Sequence, residues 1–177
     1  MLFRSVVISA LVSDGGNLVR QLRELGYTGP IVAGNGLNTP NIYPVCQRHC
    51  DGLMITQAYN PSLENASNRS LLAAFRKGRA ADAVPPQVTA QAYAAYQVVH
   101  EALATLKGTL PKGASLNSLP LPELRQRLLK TLLAGTYQTP LGELRFSPDG
   151  EVLQREFSVA RVSMAADGRS GRFVLLP

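Results

Sequence analysis

Residues 6–43 read VVISALVSDGGNLVRQLRELGYTGPIVAGNGLNTPNIY, and two changes of hydrophobic period within them set the architecture. Val6 to Leu11 is a short apolar run with the composition of a buried strand. Ser13 and Asp14 follow it, and their side-chain oxygens suit them to accept hydrogen bonds from the free amides of a helix start. Leu18, Leu22 and Leu25 then recur at i, i+4 and i+7, a stripe expected to lie on a sheet. Gly26 fits the left-handed position that closes a helix. Pro30 to Ala33 supplies a second strand, which ends in a Gly-rich turn. A strand, helix and strand with short connections make a right-handed crossover into a parallel sheet, so the fold class is α/β.

Downstream, the spacing predicts a helix from Pro40 or Asn41 to Cys50, with Pro40 in its first turn. Leu53 to Thr56 follows Asp51-Gly52 as a third strand. Pro61 biases Asn60 towards an extended conformation, so Tyr59-Asn60-Pro61 reads as a crossing segment. Three helices are expected at Ser62–Lys77, Thr89–Leu106 and Leu121–Leu133, with Ala92, Tyr96, Val99 and Leu103 sharing a face of the second. GTLPKGASLNSLPLP, residues 108–122, is a surface loop. The remainder is β: Gly142–Phe146, then alternating strands Val152–Val162 and Arg172–Leu176. Asp149-Gly150 and Asp167-Gly168 supply the turns, because Gly tolerates positive φ. No internal repeat and no low-complexity segment interrupts this series.

Composition narrows the function classes. At 177 residues, with 45% hydrophobic and 17% charged side chains, the chain can bury a sizeable core and reads as globular. No apolar run approaches the ~18 residues of a membrane span. The start, MLFRSVVISALVSDGG, has one Arg and a short apolar stretch but lacks a small-residue cleavage pattern. Net charge is +6, yet the 14 Arg and 4 Lys are scattered, no basic run carries interleaved aromatics, and Trp is absent. That is a solvated basic surface and not a nucleic-acid face.

Candidate chemistry is sparse. Cys46, His49 and Cys50 fall within PVCQRHCDG. The two cysteines read as small buried helix residues. A disulfide between them is awkward inside a regular helix, and three ligands crowded into five residues, with no second cluster, make a poor zinc site. His49 and His100 are both expected on helices, and no G-x-S-x-G elbow or paired metal-binding His exists. Glu64, Glu101, Glu123 and Asp51 are most simply solvated carboxylates. No catalytic residue, metal or cofactor is therefore expected. In an open α/β sheet, ligands gather at the carboxyl ends of the strands. Two loops belong there, Ala10–Asn17 and Gly34–Asn38, and following adjacent parallel strands they should border one crevice. Asn35 offers both a donor and an acceptor, and the glycines permit close backbone approach. Neither loop has the spacing of a phosphate-binding motif, and both can alternatively be read as plain turns.

The ordered series ISALVSDGGNLVRQLRELGYTGPIVAGNGLNTPNIY then CDGLMITQAYNPS resembles the branched-chain amino acid (Leu/Ile/Val) binding family of type I periplasmic solute-binding proteins. TAQAYAA (89–95) and TPLGELRFSPDGEVLQREFSVARV (139–162) are similar to its later helix and closing segment. The resemblance implies three-layer αβα lobes, with solute held in the cleft between two of them. Residues 1–58 and 158–177 would belong to the second lobe. Residues 59–157 would be helices and strands of the first, whose core is missing, so that the chain is a carboxy-terminal fragment without its signal peptide. Tyr59, Asn60, Phe157 and Ser158 would be hinge residues. Ala10, Leu11, Asn35 and Gly36 would touch the solute. Asn35 stands where amino-acid binders carry an acid, and Leu11 where they carry an aromatic ring, which favours an uncharged polar group or a carboxylate over an ammonium. The implied role is the substrate-binding component of an ABC importer, with no catalysis. Its partners would be a small-molecule solute and an inner-membrane ABC permease, and its place the periplasm, free or lipid-anchored. A ligand-sensing receptor domain of the same fold, or a small α/β enzyme using Asn35, Asp14 and His49, are the alternatives. Expressed alone, the chain is expected to aggregate, self-associate or be only partly ordered, because the helices of 62–140 lack their sheet.

Overall fold

The computed structural model describes residues 4–154 and 157–176. In chain order the elements begin β1 (Val6–Ile8), α1 (Val12–Glu24), β2 (Ile31–Ala33), α2 (Tyr43–Cys46), β3 (Met54–Gln57) and α3 (Ala66–Arg76). They continue α4 (Gln87–Gly108), α5 (Leu121–Ala134), β4 (Tyr137–Thr139), β5 (Gly142–Phe146), β6 (Val152–Gln154), β7 (Ser158–Met164) and β8 (Gly171–Leu175). The chain forms two compact units. One takes residues up to Asn60 and again from Phe157, and the other begins at Pro61 and holds the segment between.

The first unit is built on a sheet ordered β1-β2-β3-β7-β8. Its first three strands are parallel, as the crossover reading requires, with Val7 opposite Val32 and Ala33 opposite Ile55. β7 then runs antiparallel to β3, and β8 antiparallel to β7. On one face Ile8, Ile31, Leu53, Ile55 and Val162 pack with Val19, Leu37 and Ile42. Val7 and Val174 stand exposed on the other face. Among the described residues, two layers of a three-layer lobe are thus present.

The helix contacts differ from the periodicity reading in an instructive way. α1 starts at Val12 with Leu11 as its cap residue, and no side chain caps it. Ser13 and Asp14 lie inside its first turn, because the chain enters the helix two or three residues earlier than expected. Leu18 and Leu25 are exposed, and the buried side carries Gly15, Gly16 and Val19. A Cβ on Gly15 would sit 2.8 Å from Leu37, and one on Gly16 2.6 Å from Val45. The bare backbone therefore lets the helix approach closely, and of the leucine stripe only Leu22 packs, partly buried, against the core. Gly26 closes α1 as anticipated: at φ +84° it donates to the Arg23 carbonyl while the Tyr27 amide donates to that of Leu22.

The expected helix at 40–50 is broken into three pieces. Thr39 caps a 3-10 turn at 40–42 by accepting from the Asn41 amide at 3.3 Å. α2 follows, and then a second 3-10 turn over Gln47–Cys50. Gln47 adopts φ +50°, interrupting the regular helix in which a bond between Cys46 and Cys50 is awkward. The two cysteines are buried as expected but are joined as a disulfide, with their Cα atoms 5.3 Å apart. The reading of them as free core residues is corrected accordingly.

In the second unit, Asn65 caps α3 by accepting from the Asn68 amide at 2.7 Å. α4 buries Ala90, Ala94, Val98, Ala102 and Leu106, whereas Tyr96 and Val99 of the anticipated face are exposed. β4, β5 and β6 form an antiparallel three-stranded sheet. β4 was not anticipated, and the single strand expected over 152–162 is two strands that join different sheets. No helix among the described residues is long and apolar enough to cross a membrane.

Candidate functional site

The carboxyl ends of β1, β2 and β3 form one rim of the first unit's sheet. β1 gives way to Ala10 and Leu11, and then to the first turn of α1. β2 continues through Gly34 into a 3-10 turn over Asn35–Leu37. The Gly34 amide donates to the Ile8 carbonyl at 3.0 Å, which extends the β1–β2 pairing past the strand ends. Gly36 lies so close to the Ala10 carbonyl oxygen that a Cβ would collide with it, and Leu11 is the next neighbour of that position. Any other residue at 36 would push the two loops apart. Asn38 fastens the second loop to β3 by donating from Nδ2 to the Thr56 carbonyl at 3.3 Å.

The structure therefore places Ala10, Leu11, Asn35 and Gly36 together on one rim. Leu11 is 74% exposed, Asn35 and Gly36 are also exposed, and Ala10 is half-buried. None of the four is charged. Tyr59 and Asn60 leave the sheet from this same rim, since they follow β3. Ser158 pairs with Gln57, so the chain re-enters beside the place where it left. Tyr59 is buried and Phe157 is 67% exposed.

Sequence reasoning passes over Gln57, the last residue of β3, which is only 8% exposed. The signal available was a glutamine two residues after Ile55, on the alternation of the buried face.

A groove of about 840 Å³ opens near the opposite rim, lined by Arg23, Arg48, His49, Asp51 and Arg161. Arg23, Asp51 and His49 among these have partners within the fold. Arg23 donates to the carbonyls of Tyr27 at 2.7 Å and Gly29 at 2.8 Å. Asp51 accepts from the Met164 amide at 3.0 Å, and His49 lies 3.9 Å from Glu24. His100 belongs to the second unit and stacks on Tyr96. Burial pushes the Tyr43 hydroxyl up to about 12, so it stays neutral. Among the described residues no group of three or more His, Cys, Asp or Glu is placed to hold a metal.

The sequence profile of the periplasmic binding protein family matches residues 4–169. Among solved structures, the leucine-binding protein LivK of Thermotoga maritima superposes with a TM-score of 0.74 at 20% identity, covering 96% of this chain and 43% of that one. The branched-chain amino acid transporter substrate-binding protein LivJ of Streptococcus pneumoniae, in complex with isoleucine, gives 0.65 at 20% identity, with coverages of 98% and 44%. An ABC transporter solute-binding protein of R. palustris in complex with benzoate gives 0.59 at 19%, with 96% and 42%. Among curated proteins none matches significantly. The chain thus spans less than half the length of these solved structures, and over that length its mixed α/β architecture is that of type I periplasmic binding proteins. On the strength of the profile match, the chain belongs to the periplasmic binding protein family.

Proposed function

We propose that this chain supplies part of the substrate-binding component of an ABC importer, and that its sheet rim contributes Ala10, Leu11, Asn35 and Gly36 to a solute site in an interlobe cleft. The observation that carries the reading is the contact of Gly36 with the Ala10 carbonyl, which unites two loops on the rim where open α/β sheets hold ligands. Residues up to Asn60 and from Phe157 are read as one lobe, and Pro61 onward as a contribution to the other. Tyr59, Asn60, Phe157 and Ser158 would then absorb rotation on closure, which the solute drives by binding one state better than the other. The function is binding without catalysis, and delivery is to a membrane permease. A disulfide whose cysteines are both fully buried suits an oxidising, extracytoplasmic compartment and supports a periplasmic location.

The uncharged rim favours a neutral polar or carboxylate-bearing solute. The isoleucine and benzoate seen in the solved relatives both carry a carboxylate, and they bracket the choice. Isothermal titration of the protein at its natural length, with the twenty L-amino acids and benzoate as probes, tests this. Saturable binding of at least one probe is expected, weakened roughly tenfold by Asn35→Ala through loss of one hydrogen bond. Absence of saturable binding, or a turnover that disappears with Asn35→Ala, overturns the proposal.

A further inference from the structure

We infer that Gln57 is a specificity-determining residue of this solute site, its amide acting beside that of Asn35 on a carboxylate or neutral polar group of the solute. The inference rests on the proposed function above and goes beyond it in assigning a residue and a ligand chemistry. β2 and β3 run parallel with Ala33 opposite Ile55. Asn35 and Gln57 each lie two residues further along, Asn35 in the 3-10 turn that follows β2 and Gln57 at the end of β3. Side chains repeat every second residue in a strand, so Gln57 shares the face of Ile55, which is fully buried. The bond from Asn38 to the Thr56 carbonyl holds the Asn35 turn against this end of β3.

The chemistry of Gln57 is unusual for its place. Although it is 8% exposed, its side chain makes no hydrogen bond among the described residues. No fully buried side-chain nitrogen or oxygen there lacks a partner. The stem of Gln57 is therefore enclosed while its amide end reaches solvent at the rim. Ordering a glutamine costs about 1.5–2 kcal/mol of rotamer freedom, and no protein hydrogen bond offsets it here. A valine or isoleucine would serve the strand end better on packing alone. What the amide adds is two donors and an acceptor on the rim that also carries Asn35. The NH2 of Gln57 can donate to a carboxylate oxygen, and its carbonyl can accept from a neutral polar group. The amide gives an ammonium group no counter-charge.

The test uses the protein at its natural length, the same amino-acid and benzoate probes, and three variants. Gln57→Met keeps the volume and removes the amide, and Gln57→Glu replaces it with a negative charge. Asn35→Ala reports on the site itself. Gln57→Met is expected to weaken the best-bound probe about tenfold with an unchanged melting temperature. Gln57→Glu is expected to weaken benzoate a hundredfold or more while sparing ammonium-bearing probes relative to it. If both Gln57 variants bind within twofold of the parent while Asn35→Ala weakens binding, the role of Gln57 is overturned and the rim site stands. If Asn35→Ala is also without effect, or no probe binds the parent, the rim site falls and the inference with it.

Discussion

α1 in the first unit and α4 in the second meet the same requirement, a helix seated on its neighbours, with different side chains. α1 brings glycine to the contact, so that Leu37 and Val45 reach its backbone, and it joins a core of large aliphatic groups that includes Ile31, Leu53 and Ile55. α4 brings a row dominated by alanine, Ala90, Ala94 and Ala102, and α5 buries no residue fully. Apolar stabilisation scales with the area removed from water, so large buried side chains concentrate it at a few positions and small ones spread it thinly. The core under α1 should accordingly be held by a handful of residues whose loss is severe, and the alanine row of α4 by several whose individual loss is mild, beside the larger buried Leu71, Tyr137 and Leu144 of the second unit.

The largest effect is expected at Ile55, which is fully buried between β2 and β7. Ile55→Ala should cost about 4 kcal/mol, the transfer term plus a cavity that a five-stranded sheet relaxes around poorly. Leu129→Ala in α5, whose leucine is 55% exposed, should cost under about 1 kcal/mol. Urea denaturation of both variants measures the contrast. Equal costs would show that the second unit is as tightly specified as the first, and the comparison would break.

A smaller effect separates covalent from packing contributions in the first unit. Cys46→Ala with Cys50→Ala removes a cross-link that closes a very short loop, and chain-entropy reasoning gives about 2 kcal/mol for it. Thiol titration of the denatured parent without reductant should find no free cysteine. A double variant as stable as the parent would leave packing of the two buried side chains as the sole contribution.

The same comparison explains what could be read from the sequence. The parallel β1–β2–β3 arrangement was legible because its strands are short apolar runs separated by turn chemistry, as at Gly26 and Asp51-Gly52. Helix faces were not. In α1 the leucines at 18 and 25 drew the eye, but Gly15, Gly16 and Val19 make the contact. In α4 the row through Tyr96 and Val99 stood out, while Ala94 and Ala102 are buried. Hydrophobic periodicity weighs side chains by size, so it overlooks contacts that depend on smallness. The disulfide was obscured for another reason. Spacing alone gave no sign that Gln47 would take a positive φ and break the helix between its cysteines. Among the rim residues, the two loops were visible through their glycines. Gln57 was hidden because its interest lies in enclosure without a partner, which appears only in three dimensions.

The smallest effect concerns the turn between β7 and β8, where the first unit relies on local hydrogen bonds instead of core packing. Asp167 accepts from the amides of Arg169 and Ser170, each at 2.9 Å, and from the Ser170 hydroxyl at 2.7 Å. Those donors favour the ionised form and hold the carboxyl down at about 2, below its ordinary 3.8. Because the folded value is the lower one, the unfolded chain takes up the proton first as pH falls. The contribution of Asp167 is thus complete above about pH 4 and disappears as the pH drops towards 2. Amide-exchange protection at Ala165, which bonds the Ser170 carbonyl across the turn, should decline over that window. In Asp167→Ala the decline should vanish and protection should be low at every pH. The group is exposed, so high salt should reduce the minor part of the shift that comes from the Arg169 charge and leave the backbone bonds in place. A carboxyl that titrates near 3.8, followed by NMR, would show that the turn is held by its neighbouring strands and not by Asp167.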